Sequence, residues 1–311
     1  MLRTLLDCLL ISTAYVAPFY LQTGLSRSHT KVILSRFLST ALVCAVAWLP
    51  LFFALSRLQA SLTAPESPYI LIHALLGLRL SGLGAAVTLP VLLTAALFLG
   101  PLTVWTLDWY QGVLAGRRGR PLIQVERLHL LSLKEHMGVQ LLRDIVMGPL
   151  TEEFAFRSCM APLLLLQGLS AGRTILVTPL FFGLAHVHHL YEYVVHQRRS
   201  LATALFAVTF QFGFTTLFGW FATFVFLRTG HLGAAVAVHS FCNLMGFPDF
   251  GALRSHPTRG LVRAAFGLGI CLFCALLVPL TRPALYHNLA TSADAGNAYL
   301  AKLQYLRQSS V

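Results

Sequence analysis

Apolar residues run along this chain in long stretches, and charged residues fall mainly in the gaps between them. Eight stretches approach the roughly 20 residues that a helix needs to cross a bilayer: Leu5–Leu21, Phe37–Leu55, Ala85–Leu107, Val139–Leu166, Arg173–Leu190, Leu201–Leu227, His231–Phe247 and Leu261–Leu280. The pattern predicts an all-α fold, a polytopic transmembrane helical bundle of about eight spans around an intramembrane polar cavity. It forms one integral-membrane domain over residues 1–311, with its polar motifs in a core at 139–250. The segment Pro68–Leu78 is too short to span and is expected at the interface or as a re-entrant piece. The first stretch follows Arg3 and has the look of a signal peptide. Asp7 interrupts it, it is long, and no small-x-small cleavage site precedes Leu25, so a retained first span is expected. Pro90, Pro101, Pro149, Pro162 and Pro179 lie within apolar stretches, which membrane helices tolerate where neighbours satisfy the freed carbonyls.

Composition agrees with the bilayer as solvent. The chain is 56% hydrophobic and 11% charged, with mean hydropathy +0.71, where a soluble domain carries about 25% charged residues. The net charge of +12 arises because only 11 acids occur. No basic face with aromatic or polar readers is apparent, so nucleic acid is not an expected partner, and anionic lipid headgroups account for the charge. All six cysteines lie in apolar stretches, against a disulfide framework. Cys271 and Cys274 form a CxxC inside a predicted span and are expected to be small packing residues.

Basic residues also orient the chain. With a lumenal N-terminus, 13 of them fall on the cytosolic side: Arg27, Lys31 and Arg36; the basic loop 109–137 with Arg117, Arg118, Arg120, Arg127 and Lys134; Arg198 and Arg199; Arg254, Arg259 and Arg263. Eight fall on the other side.

Ionisable groups inside the spans carry the chemistry, because each costs about 2.5–3.5 kcal/mol at mid-bilayer and must face the bundle interior or a wet cavity. Glu153 and Arg157 are four residues apart and can pair on one helix face. Glu152 is rotated away by about 100° and left without that cation, free to hold a water. Two structural glutamates, tied to Arg157 or Arg143, are an equal alternative on spacing alone. His186 follows Phe182 by four residues and is the deepest of three clustered histidines, with His188 and His189 nearer the membrane surface. His239 and Asn243 share a face one turn apart and can both donate hydrogen bonds. As an isolated pair they read as interhelical glue worth about 0.6–2 kcal/mol per bond. Together, a carboxylate, an imidazole and a donor pair are the minimum apparatus for hydrolysing a peptide without a covalent intermediate.

Glu152-Glu153-x-x-x-Arg157, then Phe182-x-x-x-His186, then His239-x-x-x-Asn243 resembles the three-motif signature of the CAAX protease and bacteriocin-processing superfamily. The flanking strings are closer still to its eukaryotic branch, the type II CAAX prenyl endopeptidases; they are Gly148-Pro-Leu-Thr, Pro179-Leu-Phe-Phe-Gly-Leu-Ala-His-Val-His-His189, Arg228-Thr-Gly-His-Leu-Gly and His239-Ser-Phe-Cys-Asn-Leu-Met-Gly-Phe-Pro248. The resemblance implies a glutamate-dependent intramembrane endopeptidase of the endoplasmic reticulum membrane, with its active site toward the cytosol and no cofactor. Its implied partners are membrane lipid and prenylated CaaX proteins such as small GTPases, from which it would remove the last three residues. On this resemblance Glu152 and His186 activate water, His239 and Asn243 form the oxyanion hole, and Glu153 and Arg157 support the site. Three rivals remain. A metalloendopeptidase could use Glu152, His186 and His239 as ligands, although no HExxH occurs. A cysteine protease could use Cys159 or Cys242, both in apolar surroundings that disfavour a thiolate. A proton-coupled carrier also places Glu and His in the membrane, but usually shows repeated halves, which are absent here.

Overall fold

The computed structural model describes residues 2–21, 29–60, 68–114 and 135–288. These form helices and connecting turns, with no strand among the described residues. Most of the basic loop expected at 109–137, with its arginines and Lys134, lies outside them, as does Arg27.

Helix α1 (Leu2–Val16) continues through a 3-10 turn, Ala17–Leu21. Then come α2 (Thr30–Ala47), α3 (Leu49–Gln59), α4 (Pro68–Leu75), α5 (Leu83–Leu97) and α6 (Leu99–Leu114). The next helical stretch contains α7 (Glu135–Leu142), α8 (Gly148–Glu153) and α9 (Met160–Leu166), joined by π-helical turns at Arg143–Met147 and Phe154–Cys159. The remaining long helices are α10 (Ala171–Ala185), α11 (Leu201–Thr229), α12 (Leu232–Met245) and α13 (Arg259–Leu277).

Among the described residues, four stretches are long and apolar enough to cross a bilayer unaided: Leu2–Tyr20, Thr30–Gln59, Leu201–Thr229 and Arg259–Leu277. The α5–α6 pair is a fifth, bent by 75°. The single straight span expected over Ala85–Leu107 is therefore broken at Phe98. Pro101 explains the break. It has no N–H to give the Leu97 carbonyl, so α5 stops there, and in the first turn of α6 the missing donor costs nothing. The stretches bearing the motifs differ from their expectation as well. α10 has 15 residues and α12 has 14, and the 139–166 stretch is wound with two π-helical turns. Irregular backbone at membrane depth is stable where protein covers it or where it lines a cavity, and both π turns flank Glu152.

The bundle is packed around one principal cluster. Ile11 and Tyr15 of α1, Leu51 and Leu55 of α3, and Leu71 and Leu75 of α4 meet Phe156, Met160 and Leu163 of the wound helix and Phe182 of α10. The short segment at Pro68–Leu75 is thus held inside the bundle, and Ser158 Oγ donates to the Leu76 carbonyl over 2.7 Å just beyond it. Lipid is as apolar as these side chains, so close packing and satisfied polar groups, rather than escape from water, hold the helices together. α11 ends at Gly230, whose φ of +66° is left-handed and whose N–H donates to the Phe226 carbonyl over 2.8 Å. Beside that turn Arg79 donates to His231 Nε2 over 3.1 Å, and Asn288 donates to the Arg228 carbonyl over 3.1 Å, which fastens the segment after α13 to the bundle. Cys271 and Cys274, expected to be small packing residues, are free thiols exposed on the outer face of α13.

Candidate active site

The wound helix from Glu135 to Leu166 is the axis of the site. Glu153 and Arg157 lie on its inner face with no exposed side-chain surface, joined by Arg157 Nη1–Glu153 Oε1 at 3.0 Å. The guanidinium is also covered by two aromatic rings, with Cζ 4.4 Å from the Phe182 centroid and 5.7 Å from that of Phe218. A buried cation is tolerated here because a carboxylate and two π faces replace its water.

The same Glu153 oxygen accepts a second hydrogen bond, from His239 Nδ1 at 2.6 Å. This contact joins the wound helix to α12 and sets the tautomer of His239. The ring turns Nε2 toward Glu152, whose Oε2 is 3.8 Å away. Glu152 retains about a quarter of its side-chain exposure, whereas Glu153 retains none. The two neighbouring carboxylates are therefore separated by environment. One is locked between the Arg157 guanidinium and the His239 ring, and the other faces open space.

That space is two cavities with a common wall. Asp144, Glu152, Phe182, His186 and Asn243 line both. The first, about 340 Å³, is bounded by the ends of α1 and α2 and by the turn after α10, with Arg36, Arg143, His188 and His189 among its polar groups. The second, about 700 Å³, is bounded by α11, α12 and the α5–α6 bend, and is walled by Phe98, Phe214, Phe218, Phe221, Phe247 and Phe273. His239 and Cys242 also line the second cavity.

His186 is the first residue beyond α10, where the helix tightens into a 3-10 turn. Its Nδ1 lies 2.8 Å from the Phe182 carbonyl. A carbonyl only accepts, so Nδ1 carries the proton, and in the neutral ring Nε2 is left as an acceptor. Asn243 Nδ2 donates to the Asp144 carbonyl over 2.8 Å, which uses one of its two amide protons and fixes the side chain against the first π turn. Ser240 Oγ donates to the Ile145 carbonyl over 2.7 Å from the same face of α12. The freed carbonyls of the π turn are thus capped by α12.

All six polar residues expected from the motifs meet around this wall. Glu152, His186, His239 and Asn243 line at least one cavity, and Glu153 and Arg157 lie behind them. Asp144, Arg36 and Tyr15 were not anticipated. Tyr15 Oη and Thr151 Oγ1 are 2.8 Å apart, which places α1 against the residue beside Glu152. Only the rarity of acids in the chain could have drawn attention to Asp144. Among the described residues no group of three or more His, Cys, Asp or Glu side chains is arranged to hold a metal ion.

Residues 135–245, which carry all three motifs, match the family described as Type II CAAX prenyl endopeptidase Rce1-like. Similarity extends well beyond that core. The chain is 38% identical to a human protein named CAAX prenyl protease 2 over 91% of its own length and 82% of that protein's. It is 34% identical to the protein of that name from Arabidopsis thaliana over 90% of each chain, and 30% identical to that of Saccharomyces cerevisiae over 82% of its own length and 83% of the relative's. No solved structure matches significantly. With sequence similarity of this extent over nearly the whole helical bundle, the chain belongs to the CAAX prenyl protease 2 family, the type II CAAX prenyl endopeptidases.

Proposed function

We propose that this protein is an intramembrane endopeptidase that removes the C-terminal aaX tripeptide from prenylated CaaX proteins, small GTPases among them. The observation that carries the reading is the position of Glu152, a partly open carboxylate in the wall between a polar and an aromatic cavity, with His239 Nε2 3.8 Å from it. A prenylated C-terminus has the same two-part chemistry as those cavities, an apolar chain joined to a short peptide. The aromatic cavity suits the chain, and the polar cavity suits the peptide.

In this mechanism a water sits between Glu152 and the Nε2 of His186, which accepts one of its hydrogen bonds. Glu152 takes a proton as the water oxygen attacks the carbonyl carbon of the prenylcysteine. The carbonyl oxygen becomes an oxyanion and is stabilised by the second amide proton of Asn243 and by His239. His239 already uses Nδ1 on Glu153, so it donates from Nε2 as an imidazolium. Glu153 positions the ring and offsets its charge, and Arg157 holds Glu153. The intermediate collapses with transfer of the proton from Glu152 to the leaving amide nitrogen. The products are a prenylcysteine carboxylate and a free tripeptide.

The location that fits this substrate is the endoplasmic reticulum membrane with the site open to the cytosol. The excess of basic residues on that side, Arg36 and Arg199 included, supports the orientation. The test is cleavage of a farnesylated CaaX peptide by the purified protein and by the Glu152→Ala and His239→Ala variants. Loss of at least a hundredfold in kcat is expected for each, and full activity in both would overturn the mechanism.

A further inference from the structure

A third cavity, about 560 Å³, shares no lining residue with the two at Glu152. It lies between the start of α1, one side of α3 and the end of α9, with Arg3, Asp7, Arg57 and Gln167 among its polar groups. Gln167 closes α9, about 20 Å along the helix axis from Glu152, so this cavity is remote from the candidate catalytic groups. Its charges are unmatched. Arg3 and Asp7 are four residues apart on one face of α1, a spacing that puts Cβ atoms about 5–6 Å apart and allows an ion pair. They do not form one. Among the described residues no ion pair or hydrogen bond engages the side chain of Arg3, Asp7 or Arg57. Both guanidiniums stay protonated, so they exceed the carboxylate by one charge. The surface beside them is apolar. Leu6 and Leu10 share the α1 face of Arg3, Phe53 precedes Arg57 by one turn of α3, and all three are exposed.

A ligand that answers this site carries an anion for the arginines, a hydrogen-bonding cation for Asp7 and an apolar chain for the leucines and Phe53. In a bilayer an aminophospholipid has all three. Its phosphodiester offers two unesterified oxygens, its primary ammonium lies a few bonds away, and its acyl chains stay in lipid. We propose that the cavity between α1, α3 and α9 binds the headgroup of an aminophospholipid, with the phosphate between Arg3 and Arg57 and the ammonium at Asp7. Arginine forks match phosphate oxygens, and basic pockets between membrane helices are a recurrent form of headgroup site. Leu163 of α9 also lines the cavity and belongs to the principal cluster with Ile11 and Leu55. A bound lipid therefore ties the wound helix to α1 and α3 and stabilises the folded bundle.

The experiment follows thermal unfolding of the full chain in detergent. The titrants are short-chain phosphatidylethanolamine, phosphatidylcholine and phosphatidylglycerol, with glycerophosphoethanolamine and inorganic phosphate as soluble probes. Phosphatidylethanolamine is expected to raise the melting midpoint saturably, with half-saturation at about tenfold lower concentration than the other two lipids. The soluble probes are expected to leave the midpoint unchanged. Arg3→Gln/Arg57→Gln should abolish the increment, and Arg3→Lys/Arg57→Lys should recover part of it. Asp7→Asn should erase the preference for phosphatidylethanolamine over phosphatidylglycerol. Three lipids acting alike on the unaltered protein, or an increment that survives Arg3→Gln/Arg57→Gln, overturns the assignment. A soluble probe that matches the lipid moves the ligand out of the bilayer and overturns it equally. If the double arginine variant does not fold, Asp7→Asn decides, and an unchanged preference there sinks the proposal.

Discussion

Arg157→Met is the most informative single change outside the residues that face the cavities. The side chain is fully buried, and methionine nearly fills its volume while removing the charge. What remains is Glu153, also fully buried, with only the His239 ring as partner. Breaking a buried ion pair from one side costs about 3–5 kcal/mol, because the surviving charge loses its guanidinium partner and has no water to replace it. The lost contacts with the Phe182 and Phe218 faces are partly replaced by sulfur–aromatic contacts of about 0.3–1.5 kcal/mol. Removing both charges in Glu153→Leu/Arg157→Met abolishes that penalty and leaves His239 Nδ1 without an acceptor, a cost of about 1–3 kcal/mol. The double variant should therefore be more stable than the single one; it should be inactive because nothing orients His239, and the single variant should lose activity because nothing holds Glu153 in place for that ring. Stability can be followed in detergent by labelling of Cys8 and Cys159, which are buried in the fold, against the exposed Cys271 and Cys274 as an internal baseline. The reasoning is refuted if the single variant unfolds at the wild-type midpoint, or if the double variant unfolds below the single one.

Glu152→Gln should lower kcat by at least about a thousandfold, a fall characteristic of a lost general base, while the melting midpoint stays within a degree or two, since among the described residues the nearest ionic partner of this carboxylate, His239 Nε2, is 3.8 Å away; a variant that unfolds early would contradict that placement. Ser158→Ala should cost about 1–3 kcal/mol by leaving the buried Leu76 carbonyl unpaired, with kcat little changed, as read by thermal unfolding alongside peptide cleavage. Gly219→Ala should cost about 1–3 kcal/mol and reduce activity as well, because its methyl would come within 2.5 Å of Pro179 Cβ and 3.0 Å of Arg157 Nη2. Replacing all six cysteines by Ala or Ser should leave cleavage within a few-fold of wild type, and loss of activity traced to Cys242, which lines the aromatic cavity, would revive a thiol mechanism.

The sequence made the class of fold and the motif residues readable because both are local signals. Apolar length marks a membrane helix, and four-residue spacing puts Glu153 beside Arg157. What it did not make readable depends on contacts between distant segments. The hydrogen bond from His239 to Glu153 joins residues 86 apart, and no periodicity in either helix points to it. Pro101 was visible, yet whether a proline kinks a span or starts a new helix depends on what packs beside it, and the 75° bend at Phe98 emerged only in three dimensions. The π turns were hidden for a related reason. One extra residue in a turn leaves composition and hydropathy unchanged while shifting the phase of everything beyond it. Arg36 belonged to a flanking basic cluster and read as a topology signal, and its place on the Phe19 face in the wall of the polar cavity emerged only in three dimensions.

Those π turns have a further consequence. Glu152 sits in a six-residue α-helical segment with a phase shift on either side, at Arg143–Met147 and Phe154–Cys159. Each wide turn behaves as a one-residue insertion that the helix has absorbed. Removing one residue from either would rotate the neighbouring segment by about 100°. A deletion in the first turn would swing Asp144 and its carbonyl away from Asn243, and one in the second would carry Arg157 off the face it shares with Glu153. The helix therefore works as a combination lock with two dials, and its tolerance for substitution should be far greater than its tolerance for any change in length.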